Sequence, residues 1–146
     1  MYCFFTGHRD APDSLLSPLT EAVRLHVEAH GVTEFVVGNH GSFDFLAARA
    51  VQLVKQQHPE IRLTLLLAHH PALHPAQLPE GFDQSLYPDR MEQVPPRFAL
   101  VRANRRMVEQ CAFLIAYVHH PASNARKLLE YAALRERQGL LRITRL

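Results

Sequence analysis

The sequence predicts a doubly wound α/β domain, a mainly parallel sheet of about five strands with helices on both faces. Three observations carry this. Short apolar or β-branched runs alternate with amphipathic segments of helical period, the pattern of βαβ units joined by right-handed crossovers. The run at 61–68 is nearly all apolar, which calls for cover on both faces and hence for a parallel sheet. A chain of 146 residues forms a single domain, 1–146, large enough to bury a full core without staples.

In chain order, residues 2–6 are the first strand. Ser17 offers an N-cap, with Pro18 at the first helical position and Glu21 in the first turn. Leu19, Ala22, Val23, His26 and Val27 mark one helical face, and Gly31 closes that helix. Residues 33–37 are a β-branched second strand. Phe43, Leu46, Ala47, Ala50, Val51 and Val54 then follow the i, i+3, i+4, i+7 spacing of a buried helix face. The third strand, 61–68, leads into 69–97, which holds six prolines and no clear period. A loop of that length in a compact domain is expected to be a lid or binding loop. Residues 98–110 read as a polar helix without a strong apolar stripe, and 112–118 as the fourth strand. Ser123 caps a last helix carrying Ala125, Leu128, Leu129, Ala132 and Ala133, Gly139 ends it, and 140–144 are the final strand.

Composition narrows the class. Hydrophobic content of 47% and charged content of 21% are those of a globular protein, and no apolar run approaches the roughly 20 residues that span a bilayer. The N-terminus lacks the basic, apolar and cleavage regions of a signal peptide. Cys3 and Cys111 sit in apolar, strand-like surroundings, so both thiols are expected buried and reduced, and the protein cytoplasmic with no membrane partner. Net charge is +2, but residues 1–89 carry 5 basic and 10 acidic side chains, whereas 90–146 carry 11 and 4. An anionic ligand is therefore expected on surface built by the second half. Arg135, Arg137, Arg142 and Arg145 read as a solvated basic helix face.

In a doubly wound sheet, ligands sit at the carboxyl ends of the strands where strand order reverses, so every strand-to-helix turn is a candidate. The first is Thr6-Gly7-His8-Arg9: glycine lets backbone approach a phosphate, and Thr6, His8 and Arg9 can donate to it. The second, Gly38-Asn39-His40-Gly41-Ser42, opens directly into a helix, whose free N–H groups and dipole favour anions. Asp44, in that helix's first turn, either complements the dipole or accepts hydrogen bonds from a ribose or base. It is neither a Walker motif nor the GxGxxG fingerprint. After the fourth strand, Ser123 is an N-cap and, with Asn124, a further pair of donors. Arg102, Asn104 and Arg105 precede that strand on the polar helix, where guanidinium groups can face a phosphate; Arg106 can equally belong to a solvated face. His8, His40, His69, His70, His119 and His120 all fall past strand ends, but no carboxylate or thiolate is grouped with them, so phosphate or base contacts are expected rather than a metal. No cofactor is called for, and neither a Ser-His-Asp set nor a G-x-S-x-G elbow is present.

Thr6-Gly7-His8-Arg9, Gly38-Asn39-His40-Gly41-Ser42-Phe43-Asp44-Phe45-Leu46-Ala47-Ala48, Ala103-Asn104-Arg105-Arg106-Met107-Val108, and Ser123-Asn124-Ala125 leading to Glu130-Tyr131-Ala132 together resemble the SLOG superfamily. These are Rossmann-like domains related to the Lonely Guy and DNA-processing protein A folds, and the resemblance is to the branch with an N-terminal T-G-H-R motif. It implies a Rossmann-like fold, a pocket for a nucleotide or nucleotide-derived ligand, and a homodimer. The Lonely Guy branch cleaves a nucleotide's N-glycosidic bond with an arginine, for which Arg102 or Arg105 could stand, and a glutamate. Leu129 occupies the glutamate position here; Glu130 is one place on, about 100° around the helix.

Three functions follow as expectations. The first is a nucleotide-binding sensor or regulatory domain. The second is a nucleoside-monophosphate N-glycosidase, with Arg102 or Arg105 orienting the phosphate and Glu130 or Asp44 stabilising an oxocarbenium-like centre. The third, a single-stranded nucleic-acid binder, is disfavoured by the low net charge and by the few aromatics besides Phe82 and Tyr87 placed to stack on bases.

Overall fold

The computed structural model describes residues 1–75 and 77–146; residue 76, inside the expected 69–97 loop, lies outside them. Ten principal elements follow one another: β1 (Tyr2–Gly7), α1 (Leu16–His30), β2 (Glu34–Val37), α2 (Ser42–Lys55), β3 (Arg62–Leu66), β4 (Gln84–Leu86), α3 (Ala99–Gln110), β5 (Phe113–Tyr117), α4 (Asn124–Arg137) and β6 (Arg142–Arg145). Short 3-10 turns, Asp13–Leu15 and Pro96–Phe98, lead into α1 and α3. The strands form one sheet in the order β4-β3-β2-β1-β5-β6, every pair parallel.

Alternation along β1 divides the core. Cys3 and Phe5 face the layer of α1 and α2, packing with Phe35, Phe43, Leu63 and Ile115. Phe4 faces the layer of α3 and α4 with Leu114, Met107, Val108 and Ala132. Burial on both faces is what makes the central strands read as continuous apolar runs. Both cysteines are free and buried, and burial pushes the Cys3 thiol up and that of Cys111 up to about 12, so neither is a thiolate nucleophile.

The sheet differs from the expected five strands by β4, which lies within the 69–97 loop. Its three residues offer no periodicity, and side-chain hydrogen bonds recruit it. Asp83 accepts from the Leu63 amide (2.8 Å) and pairs with Lys55 (2.5 Å), and Gln84 reaches Thr64 (3.1 Å) and Glu34. Nor is Ser17 the cap of α1: the helix begins at Leu16, entered from the 3-10 turn without a side-chain cap. Gly31 does close it, in the left-handed region at φ 68°. The polar helix has an apolar stripe after all, since Ala99, Ala103 and Met107 repeat at i, i+4, i+8 beside Val108. Small residues at two of those positions hide the stripe from a composition reading. Among the described residues, no helix is long and apolar enough to cross a membrane.

Candidate functional site

Strand order reverses at β1. The chain winds outward through β2, β3 and β4, then returns to place β5 on the other side, and Gly7 pairs with Tyr117 at the last rung. The turns leaving β1 and β5 part there, and a cleft of about 510 Å³ opens between them. The β1 turn supplies Thr6, Gly7, His8 and Arg9; the β2 turn supplies Gly38, His40 and Asp44; the start of α4 supplies Ser123, Asn124, Ala125 and Lys127. Leu100, Val101, Asn104 and Arg105 of α3, with Leu128 and Tyr131 of α4, form the opposite wall.

The turn geometry explains why Gly7 is glycine: a Cβ there would run into the Phe43 ring. The β1 and β2 turns are tied together where the Ser42 amide donates to the Arg9 carbonyl (2.9 Å). That bond uses one of the N–H groups expected to bind an anion. Gly41 and Ser42 do not line the cleft, and Asn39 also lies outside it. The helix N-terminus that does face the cleft is that of α4. Ser123 caps it by accepting from the Arg126 amide (3.0 Å), leaving Asn124 and Ala125 in its first turn at the cleft wall.

Charge at the cleft is unbalanced, with Arg9, Arg105 and Lys127 against Asp44. Arg105 lies over the Tyr131 ring, its guanidinium carbon 4.1 Å from the centroid. The Tyr131 hydroxyl donates to Glu109 (2.6 Å), which also accepts from Arg106 (2.9 Å). Burial alone would raise the Glu109 carboxyl, but those donors and the neighbouring arginines outweigh it and hold the group below its usual range. Arg106, for which a phosphate-facing and a solvated position stood equal in the sequence, is half-buried against this carboxylate; Arg135, read from sequence as solvated, is half-buried too and donates to the Glu109 backbone carbonyl (3.1 Å).

Asp44 accepts from the His40 amide (3.0 Å), folding the β2 turn back over the start of α2. Burial raises its carboxyl above the usual range, against the lowering effect of that hydrogen bond and of His40 and Arg9. His8 is 6% exposed, and its Nε2 accepts from the amides of both His119 (2.7 Å) and His120 (3.2 Å). Two N–H donors on one ring nitrogen require a neutral imidazole protonated on Nδ1. Burial, with His120 close by, accordingly lowers the His8 pKa. Among the described residues, no three His, Cys, Asp or Glu side chains group as metal ligands.

Of the residues read as ligand-binding, Thr6, Gly7, His8, Arg9, Gly38, His40, Asp44, Asn104, Arg105, Ser123 and Asn124 converge on the cleft. Arg102 and Glu130 do not; both are exposed away from it, and Leu129, at the glutamate position, is buried in the core. Lys127 and Tyr131 were missed. Their spacing from Asn124, three and seven residues, puts all three on one face of α4 and is the signal that could have found them.

No family model matches the chain, and no curated protein matches it. What fold and site define is a class, a Rossmann-like α/β domain with an open, cation-lined crevice at its switch point.

Proposed function

We propose that this protein binds a nucleotide or nucleotide-derived phosphate ligand in the switch-point cleft, as a sensor or regulatory domain. The observation that carries this is the meeting, in one cleft, of the α4 N-terminus with Arg9, Arg105 and Lys127. Helix N–H groups and three cations recognise a phosphate, and the wall of Leu100, Val101, Leu128 and Tyr131 suits the ring of a base. The volume falls inside the roughly 300–1,000 Å³ range of small-molecule sites. The SLOG resemblance points the same way, and a homodimer and a cytoplasmic setting belong to the same reading.

One observation favours a second reading. Asp44 is a carboxylate in the cleft held above its usual pKa, the state of a group that can hold or give a proton, as an N-glycosidase would need. Without Glu130 in the cleft it would act alone.

A thermal-shift screen separates these. Nucleoside mono-, di- and triphosphates, cyclic dinucleotides and ADP-ribose are run against wild type, Arg105→Ala and Lys127→Ala, with product analysis of every hit. A ligand at about 100 times its Kd stabilises by about 2.7 kcal/mol. Stabilisation in wild type, reduced in both variants with the ligand recovered intact, is the expected result. Release of free base would establish the enzyme. If no compound moves the melting temperature, the nucleotide reading falls.

A further inference from the structure

The β5–α4 turn carries the anion-facing end of α4; the His119 ring meets the Leu146 carbonyl (3.1 Å) and the Ser123 hydroxyl donates to the His120 carbonyl (3.3 Å), but its link to β1 runs through His8. His119 and His120 are exposed, and the turn's two consecutive amides both end on the His8 ring. His8 follows the last residue of β1, so this one side chain spans the mouth of the switch point. We propose that His8 is the positioning residue of the cleft: its neutral ring latches the β5–α4 turn, and with it Ser123, Asn124 and Ala125, to the end of β1, and protonation of the ring releases that turn.

The chemistry allows little else. A protonated imidazole carries hydrogen on both nitrogens and accepts from neither amide. Two part-buried N–H donors would then face a third, and the contact between the turn and the ring is lost. The groups around the ring bias it in both directions. His120 and His119 from the turn and Arg126 from α4 oppose its protonation, while Asp10 from the loop after β1 favours it. The His120 ring lies tilted against that of His8, centroids 4.2 Å apart at 54°, and 3.7 Å from Asp10. The Tyr117 ring meets His8 in an edge-to-face arrangement, centroids 5.8 Å apart.

The consequence for the ligand rests on the proposed function; the latch itself does not, and the experiment keeps them apart. Amide-exchange protection factors, which remove the intrinsic pH dependence of exchange, are read for His119 and His120 between pH 8 and pH 4.5. Wild type should protect both amides at the upper end and lose that protection on acidification. His8→Gln, whose side-chain oxygen can accept near the Nε2 position without titrating, should keep it throughout. His8→Phe should lack it at every pH, with the Leu114 and Ile115 amides of β5 still protected as evidence of folding. Adenosine 5′-monophosphate then serves as probe at the upper pH, where His8→Phe should bind about tenfold or more weakly than His8→Gln. The latch is overturned if His8→Phe protects the two amides like wild type, or if His8→Gln loses protection along the wild-type pH curve. Should His8→Phe not fold, the wild-type and His8→Gln curves decide alone. Failure of wild type to bind the probe counts against the cleft reading only; the exchange data still judge the latch.

Discussion

Asp44 is where two roles can be told apart at one side chain. Because its folded pKa is raised, the fold prefers the protonated carboxyl. The penalty is absent below the unfolded value of about 3.9 and is fully felt once pH exceeds the folded pKa. Asp44→Asn keeps an acceptor for the His40 amide and removes the buried charge. It should raise the melting temperature at pH 7 and by less at pH 4, while weakening any ligand that donates to the carboxylate. A fall in melting temperature instead would mean that the charge serves the α2 dipole. Histidine 26 shows the opposite sign. It is buried in α1, donates from Nδ1 to the Ala22 carbonyl (2.6 Å), and burial, assisted by His30 and Arg142, lowers its pKa. Its contribution is whole above the unfolded pKa of about 6.5 and is lost as pH falls from there through the folded value. A urea midpoint that drops between pH 7 and pH 5 in wild type should drop less in His26→Gln. Gly7→Ala forces the Phe43 ring aside and should cost about 1–3 kcal/mol by urea unfolding.

At the scale of elements, local rules were legible where a period or a cap existed. The faces of α1 and α2 and the Ser123 cap stand where the spacing put them. Ser123→Ala should cost about 1 kcal/mol and, because the cap sits at the cleft, should loosen ligand as well as helix. Elements held by distant side chains left no local trace. Nothing within residues 84–86 announces a strand, since Asp83, Lys55 and Thr64 hold it from elsewhere in sequence. Asp83→Ala should therefore expose the Leu67 amide, which donates to Leu86, to faster exchange while β1 and β5 stay protected. The same limit explains the site. Turn residues at strand ends could be named from sequence, because the fold class dictates that edge. Which of them face inward depended on contacts such as Ser42 with Arg9, which occupies an amide at the start of α2 and leaves Gly41 and Ser42 outside the cleft, and on the pitch of α4, which brings Lys127 and Tyr131 in.

Across the molecule, the sheet separates two apolar cores, and in the cleft the turns of β1, β2 and β5 face a common space with α3 and α4. Its walls come from both ends of the chain. His8 and His119, which bond directly, stand 111 positions apart in sequence. Closing so long a segment is entropically costly, and parallel pairing across it is slow to form. The β1–β2–β3 half can assemble from nearer neighbours, whereas the crevice exists only once β5 has docked beside β1. A ligand that needs both sides finds nothing complete to bind until that docking is done. Its stabilisation should then appear in the rate at which the native protein opens, leaving the refolding rate almost unchanged.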